Sequence, residues 1–182
     1  EPVCHWHIER GKTPVKAEGR RRASFFYRVP EHAGGGRRPR NQAEMFESER
    51  GEEVELAIVN VVRQHVREWR EGKHSGGVAY DGASHVTKEL LELWRSSERM
   101  QRLFFAQIEA AETIIFLVEA PQIYLKGIPE IPKDEPSLTA KAAGVRAFMR
   151  YACKMATGSG KTTVMGMLSA WSILNRVASP RD

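Results

Sequence analysis

Cysteine and long apolar runs are both scarce in this sequence. Its 182 residues contain two cysteines, Cys4 and Cys153, which lie far apart and cannot form the disulfide framework of a small secreted domain. The longest apolar candidate, residues 113–118, is much shorter than the roughly 18 residues that a membrane-spanning helix needs. A leading Met and a secretory leader are also absent. We therefore expect a protein of the reducing cytoplasm with no membrane partner.

Positive charge is concentrated near the N-terminus. The whole chain has a net charge of +5, whereas residues 1–40 alone hold ten Lys or Arg residues against four acidic ones. Residues 1–53 show no sustained periodicity and contain a Gly34-Gly35-Gly36 run, so we predict a basic, loop-rich region with short strands at about residues 3–8 and 24–29. Cations interleaved with aromatic residues suit contact with a DNA backbone, and a solvated basic face is the alternative interpretation.

Residues 54–120 form a predicted helical section. In its first helix, which begins at about Val54 and should end at Gly72, apolar residues recur at spacings of three and four. Ser84 is a plausible N-cap for a second helix. A third helix is predicted over about residues 99–120 and is stopped by the proline that follows. We expect the apolar stripes of these helices to form the core.

Residues 121–147 and 148–182 differ in composition. The first segment contains four prolines, too many for a helix interior or a central strand, so we predict a connector with a short helix from about Ser137. In the second segment, residues 148–155 are typical of a mostly buried strand, which leads through a glycine-containing turn into a helix. We expect Trp171 of this helix to pack against a sheet. The order of strand, turn and helix predicts an α/β fold.

The glycine-containing turn has the residues that a phosphate-binding loop needs. Its sequence is Thr157-Gly158-Ser159-Gly160-Lys161-Thr162-Thr163. The two glycines let the backbone curl around phosphate oxygens, and the N–H groups at the start of the next helix point at the anion. In this pattern Lys161 reaches the β- and γ-phosphates and the Thr162 hydroxyl ligates Mg²⁺. A simple turn that happens to contain Lys-Thr is the alternative interpretation.

Met155 occupies the position where the strict pattern G-x-x-x-x-G-K-[ST] has its first glycine. Residues 154–163 nevertheless resemble motif I of the superfamily 2 DEAD/DEAH-box helicases. They are most similar to the Res-subunit group of type III restriction enzymes, in which Met commonly replaces that glycine.

The resemblance extends upstream to residues 102–111. Their sequence, Arg-Leu-Phe-Phe-Ala-Gln-Ile-Glu-Ala-Ala, is similar to the "aromatic-x-Gln-x-Glu-Ala" segment that opens the motor core of such proteins. In the family this glutamine reads the adenine ring, and Gln107 is the matching position. A side-chain amide offers both an acceptor and donors, so it can pair with N7 and the exocyclic amine of adenine. A solvated glutamine on an amphipathic helix is the alternative interpretation.

The resemblance implies the start of a RecA-like P-loop NTPase domain in an ATP-dependent DNA helicase or translocase. The protein would be the Res subunit of a restriction endonuclease, with ATP and Mg²⁺ as cofactors and with duplex DNA and a modification methyltransferase subunit as partners. Lys161 and Thr162 would have catalytic roles, residues 157–163 would hold the nucleotide phosphates, and Gln107 would bind the adenine. Two other interpretations remain open: a P-loop kinase or related transferase, and a non-catalytic DNA-binding accessory region.

A motor of this family also needs a Walker B Asp-Glu pair and an arginine from a second RecA-like lobe. Only 19 residues follow Thr163, and they contain no acidic pair. We therefore interpret the chain as a fragment of a longer protein. The isolated 182 residues are expected to bind nucleotide weakly and not to hydrolyse ATP at a useful rate.

Overall fold

The computed structural model describes residues 2–7, 13–28 and 51–179. The chain forms two compact units, Glu1–Asn60 and Val61–Asp182. Much of the basic segment proposed for DNA contact, including the glycine run and Arg37, Arg38 and Arg40, lies outside the described residues.

The first unit contains two antiparallel strand pairs. Strands β1 (Cys4–His7) and β2 (Val15–Glu18) pair with each other, as do β3 (Ser24–Arg28) and β4 (Gly51–Glu55). The two strands predicted from the sequence are confirmed as β1 and β3. The start predicted for the first helix was wrong, because Val54 lies in β4 opposite Phe25, where the two apolar side chains form a cross-strand pair.

Three longer helices follow: α1 (Ala57–Glu71), α2 (His85–Arg95) and α3 (Phe105–Glu119). The N-cap predicted for α2 is confirmed, since the Ser84 hydroxyl accepts a hydrogen bond of 3.0 Å from the Thr87 backbone N–H. The predicted start of α3 at about residue 99 was wrong. The helix begins six residues later, where the Gln107 side chain accepts a hydrogen bond from the Phe104 N–H and so caps the first turn.

The remaining elements are short apart from the last helix. They are a 3₁₀ turn (Gln122–Tyr124), β5 (Lys133–Asp134), α4 (Leu138–Ala142), β6 (Phe148–Met149) and α5 (Lys161–Ala178). The short helix predicted from about Ser137 is confirmed as α4, which Ser137 caps.

The buried strand predicted over residues 148–155 was wrong. Only Phe148 and Met149 are in a strand, they are about half exposed, and their partner is the antiparallel β5. A buried parallel strand needs neighbouring strands and helices that cover its faces. Every strand pair within residues 2–7, 13–28 and 51–179 is antiparallel, so the described residues contain no such sheet.

The core of the second unit lies between helices. It combines apolar side chains of α1, α2, α3 and α5 with those of the connecting segments, as the helical stripes predicted; the buried members are Val66, Trp69, Tyr80, Leu91, Trp94, Ala111, Ile115, Phe116, Ala120, Tyr124 and Met167. Trp171 packs against this helical core, and the expected packing against a sheet was wrong. No helix within the described residues is both long and apolar enough to span a bilayer.

Candidate functional site

The candidate phosphate-binding loop is a sharp turn that ends at the start of α5. Gly158 and Gly160 have φ angles of 78° and 83°, in the left-handed region where a side chain is unfavourable. Gly160 is also the N-cap residue of α5. A β-carbon on Gly158 would have no atom within 4 Å, so the loop is open at that point. The backbone therefore forms a turn that faces solvent.

The start of α5 presents donors to that open side. The first hydrogen bond of the helix runs from the Val164 N–H to the Gly160 carbonyl at 3.2 Å. The preceding N–H groups, of Lys161, Thr162 and Thr163, have no place in the helical hydrogen-bond ladder. All three residues are exposed. These amides carry the positive end of the helix dipole, which favours an anion at this end of α5.

The Lys161 side chain bends back over the loop. Its ammonium group donates a hydrogen bond of 3.0 Å to the Ala156 carbonyl, which also accepts a bond of 2.7 Å from the Ser159 hydroxyl. These two hydrogen bonds to the Ala156 carbonyl stabilise the turn. Because the ammonium already lies over the turn, an anion in the loop would meet a positive charge without a large movement of Lys161.

Gln107 lies directly against the loop, although 54 positions separate it from Lys161 in the sequence. Only 6% of the residue is exposed, which makes the interpretation of a solvated glutamine wrong. A β-carbon built on Gly160 would lie 1.9 Å from Gln107 Nε2, so the amide occupies the space beside this glycine. Gln107 Oε1 accepts a hydrogen bond of 2.9 Å from the Phe104 N–H. The carbonyl thus caps α3 while the amino group faces the loop.

A buried ion cluster that the sequence analysis missed supports α3. The Glu112 carboxylate is fully buried and accepts hydrogen bonds from Arg70 at 2.8 and 2.6 Å, from Arg95 at 2.6 Å and from the Tyr80 hydroxyl at 2.9 Å. The cluster ties α1, α2 and the loop between them to the middle of α3. Burial, together with the nearby negative charge of Glu112, raises the pKa of Tyr80 to about 12.

A second polar cluster joins α3 to the far end of α5. The Trp171 indole N–H donates to Glu119 Oε1 at 2.8 Å and to the Thr87 hydroxyl at 2.9 Å, and the Asn175 side-chain amide donates to the same hydroxyl at 3.1 Å. Thr87 is fully buried. No short-range sequence signal could have found these contacts, because each joins residues more than 30 positions apart.

In the first unit, two of the arginines proposed for DNA contact are already paired with acidic side chains. Arg21 lies 3.1 Å from Glu53, and Arg22 lies 2.5 Å from Glu55. Hydrogen bonds from Ser24 and Arg21 lower the pKa of Glu53. All four ion-pair partners are exposed, so water weakens both pairs, but they reduce the positive charge that the described hairpins present.

Among the described residues, no group of three or more His, Cys, Asp or Glu side chains is arranged to hold a metal ion. Thr162, the predicted Mg²⁺ ligand, is exposed at the start of α5. No protein-family model, curated protein or solved structure matches this chain.

Proposed function

We propose that this chain binds ATP with Mg²⁺ through the loop at residues 156–163. The observation that carries the proposal is the packing of the Gln107 amide against Gly160. Two segments that were singled out separately in the sequence, one for phosphate and one for adenine, therefore lie side by side.

Three features of the loop support binding of a phosphate chain. Its two glycines have left-handed backbone angles, the first three residues of α5 are exposed, and the Lys161 ammonium group lies over the turn. These groups would hold the phosphates, and the Thr162 hydroxyl would ligate the metal. The bound ion would neutralise charge on the phosphates.

Phe104 offers a further contact for the base. Its side chain is 66% exposed, although it is a large apolar ring at the start of α3, three residues before Gln107. An exposed aromatic ring can stack on a nucleobase, since every base has a π-face. The ring of Phe104 and the amide of Gln107 would then contact the face and the edge of the same adenine.

At the level of the whole activity, we propose an ATP-dependent DNA helicase or translocase with a RecA-like motor, as in the Res subunits of type III restriction enzymes. Duplex DNA would be the substrate, a modification methyltransferase the partner, and the cytoplasm the location. The resemblance of residues 102–111 and 154–163 to the family motifs supports this proposal, and the contact between Gln107 and Gly160 agrees with it. No contact described above specifically favours a kinase or a DNA-binding accessory region.

Isothermal titration of the 182-residue chain with ATP and Mg²⁺ tests the nucleotide site. We expect saturable binding that weakens at least about tenfold in Lys161→Ala, because a hydrogen bond to a charged group is worth about 1.5–3 kcal/mol. Lys141→Ala is the matched control, since Lys141 is also exposed but lies on α4 and pairs with Glu135. Equal binding by the wild type and by Lys161→Ala would contradict the proposal.

The same titration with GTP tests the role of Gln107. The wild type should prefer ATP over GTP, and Gln107→Ala should lose this preference while it still binds the phosphate chain. A preference that survives in Gln107→Ala would show that another group reads the base.

A further inference from the structure

The helix α3 and the segment that begins α5 contact each other at both ends of the packed region. At one end Gln107 packs against Gly160. At the other end Glu119 accepts a hydrogen bond of 2.8 Å from the Trp171 indole. Along α3, Glu119 comes twelve residues after Gln107. Along α5, Trp171 comes eleven residues after Gly160. Both separations correspond to about 17 Å of helix. The two helices therefore run parallel and in register over this length.

Only one of these two ends is made of directional hydrogen bonds between the helices. The cluster of Glu119, Thr87, Trp171 and Asn175, here called the clasp, joins α2, α3 and α5 through bonds of 2.8 to 3.1 Å. The Glu119 carboxylate also accepts a bond of 3.1 Å from the Ser84 N–H, which ties it to the N-cap of α2. Each side chain of the clasp is thus fixed by more than one partner.

Between the two ends, the packing of α5 is apolar. Val164 and Met167 are its buried side chains, and Met167 belongs to the helical core. Apolar contacts are non-directional, whereas hydrogen bonds depend on distance and angle. The core holds α5 against α3. The clasp adds directional contacts that fix the position of α5 along α3.

We propose that the clasp positions Gln107 against the phosphate-binding loop and thereby sets the preference of the site for adenine. This inference rests on the proposed nucleotide site. Trp171 and Glu119 act through the register of the two helices and do not touch the nucleotide, so they are positioning residues. A shift of one residue along α5 moves Gly160 by about 1.5 Å, enough to break the contact with Gln107.

The first arm of the test uses the 182-residue chain without nucleotide. NMR of ¹⁵N-labelled glutamine follows the side-chain amide of Gln107, assigned by its absence in Gln107→Glu. We expect Trp171→Phe, which keeps an aromatic ring but removes the indole N–H, to shift this signal toward that of a solvated glutamine. An unshifted signal in Trp171→Phe would overturn the proposal, whatever the chain binds.

Trp69→Phe is the matched control for this arm. Trp69 is fully buried, and its indole N–H donates a bond of 2.7 Å to the Asp81 carbonyl, within α1 and its following loop. The substitution therefore removes the same kind of hydrogen bond from the same core, but the bond does not belong to the clasp. It should lower the unfolding temperature but leave the Gln107 signal in place. A shift as large as that in Trp171→Phe would mean that any loss of core stability moves Gln107, which would overturn the proposal.

The second arm measures nucleotide preference in the clasp variants. We expect the ratio of ATP to GTP affinity to fall about fivefold in Trp171→Phe and Glu119→Ala, roughly the effect of one ordinary hydrogen bond. Tripolyphosphate should bind unchanged, because the phosphate loop itself is intact. Glu119→Gln keeps an oxygen acceptor for the indole and should retain most of the preference. Uniform weakening of ATP, GTP and tripolyphosphate would overturn the positioning role.

The two arms separate this inference from the proposed function. If the wild type binds no ATP, or binds it independently of Lys161, the proposed nucleotide site fails and the preference for adenine fails with it. The NMR arm still decides whether the clasp holds Gln107 on the loop. If ATP binds through Lys161 but the clasp variants keep the wild-type preference, the proposed function stands and the clasp inference fails.

Discussion

Replacing Gly160 with alanine should destabilise the unit Val61–Asp182 by about 2 kcal/mol. Two effects add. An alanine held at a φ angle of 83° costs about 1 kcal/mol relative to glycine. Its β-carbon would also lie 1.9 Å from Gln107 Nε2, so the glutamine has to rotate away and give up its bond to the Phe104 N–H. Losing this helix cap costs about another 1 kcal/mol.

Gly158→Ala is the control that isolates the second effect. Gly158 has a similar φ angle of 78°, but a β-carbon there meets nothing within 4 Å. It should therefore cost only the backbone term of about 1 kcal/mol. Urea denaturation followed by tryptophan fluorescence measures both variants, since three of the four tryptophans, Trp69, Trp94 and Trp171, belong to this unit.

The double variant Gly160→Ala/Gln107→Ala tests whether Gln107 contacts Gly160. Gln107→Ala alone removes the cap and should cost about 1 kcal/mol. When Gln107 is already alanine, the new β-carbon at position 160 does not collide with a glutamine, and Gly160→Ala should add only the cost of the left-handed backbone angle. The double variant should therefore lose about 2 kcal/mol, whereas the sum of the two single variants is about 3 kcal/mol. Additive costs, or equal costs for Gly160→Ala and Gly158→Ala, would refute the contact between Gln107 and Gly160.

Two further predictions concern the ion cluster at Glu112. Glu112→Gln should lower the free energy of unfolding by about 3 kcal/mol, because the largely buried charges of Arg70 and Arg95 would lose their carboxylate partner. Urea denaturation measures this change, and a loss below about 1 kcal/mol would contradict the prediction. The second prediction follows from the pKa of Tyr80, which is raised to about 12 from an ordinary value of 10. The contribution of Tyr80 to the free energy of unfolding should be constant below pH 10 and should fall by roughly 2–3 kcal/mol between pH 10 and 12. As the pH rises, the unfolded chain releases the phenolic proton at a lower pH than the folded chain does, which is why stability falls. The fall should be absent in Tyr80→Phe. Parallel pH profiles of stability in the wild type and in Tyr80→Phe would contradict the prediction.

The sequence predicted features that depend on near neighbours. Ser84 caps α2 as expected, because the bond it accepts from Thr87 spans three residues. Gly72 ends α1 with a φ angle of 65°, and a β-carbon there would lie 2.4 Å from the Val78 carbonyl oxygen. The candidate phosphate-binding turn likewise has its glycines at left-handed positions immediately before a helix. Each of these features is encoded within a few residues.

Features that depend on distant partners were missed or misplaced. Arg70 reaches a buried carboxylate 42 positions away, a contact that the helical periodicity of its own segment does not indicate. Residues 148–155 have the composition of a buried strand, but a strand is buried only by neighbours, and the described residues supply just the two-residue β5. Gln107 was singled out as a candidate from its sequence, but its burial and its contact with Gly160 could not be inferred from residues 102–111 alone.

The cap that Gln107 forms on α3 bears on how it would recognise adenine. A glutamine that is free in solution must be ordered when it binds a base, which costs up to about 2 kcal/mol in rotamer entropy. Here the bond to the Phe104 N–H and the contact with Gly160 already fix the side chain. The amide oxygen has a second lone pair, so it can accept from the exocyclic amine of adenine without releasing the cap. The same hydrogen bond would therefore start a helix and preorganise the group that reads the base.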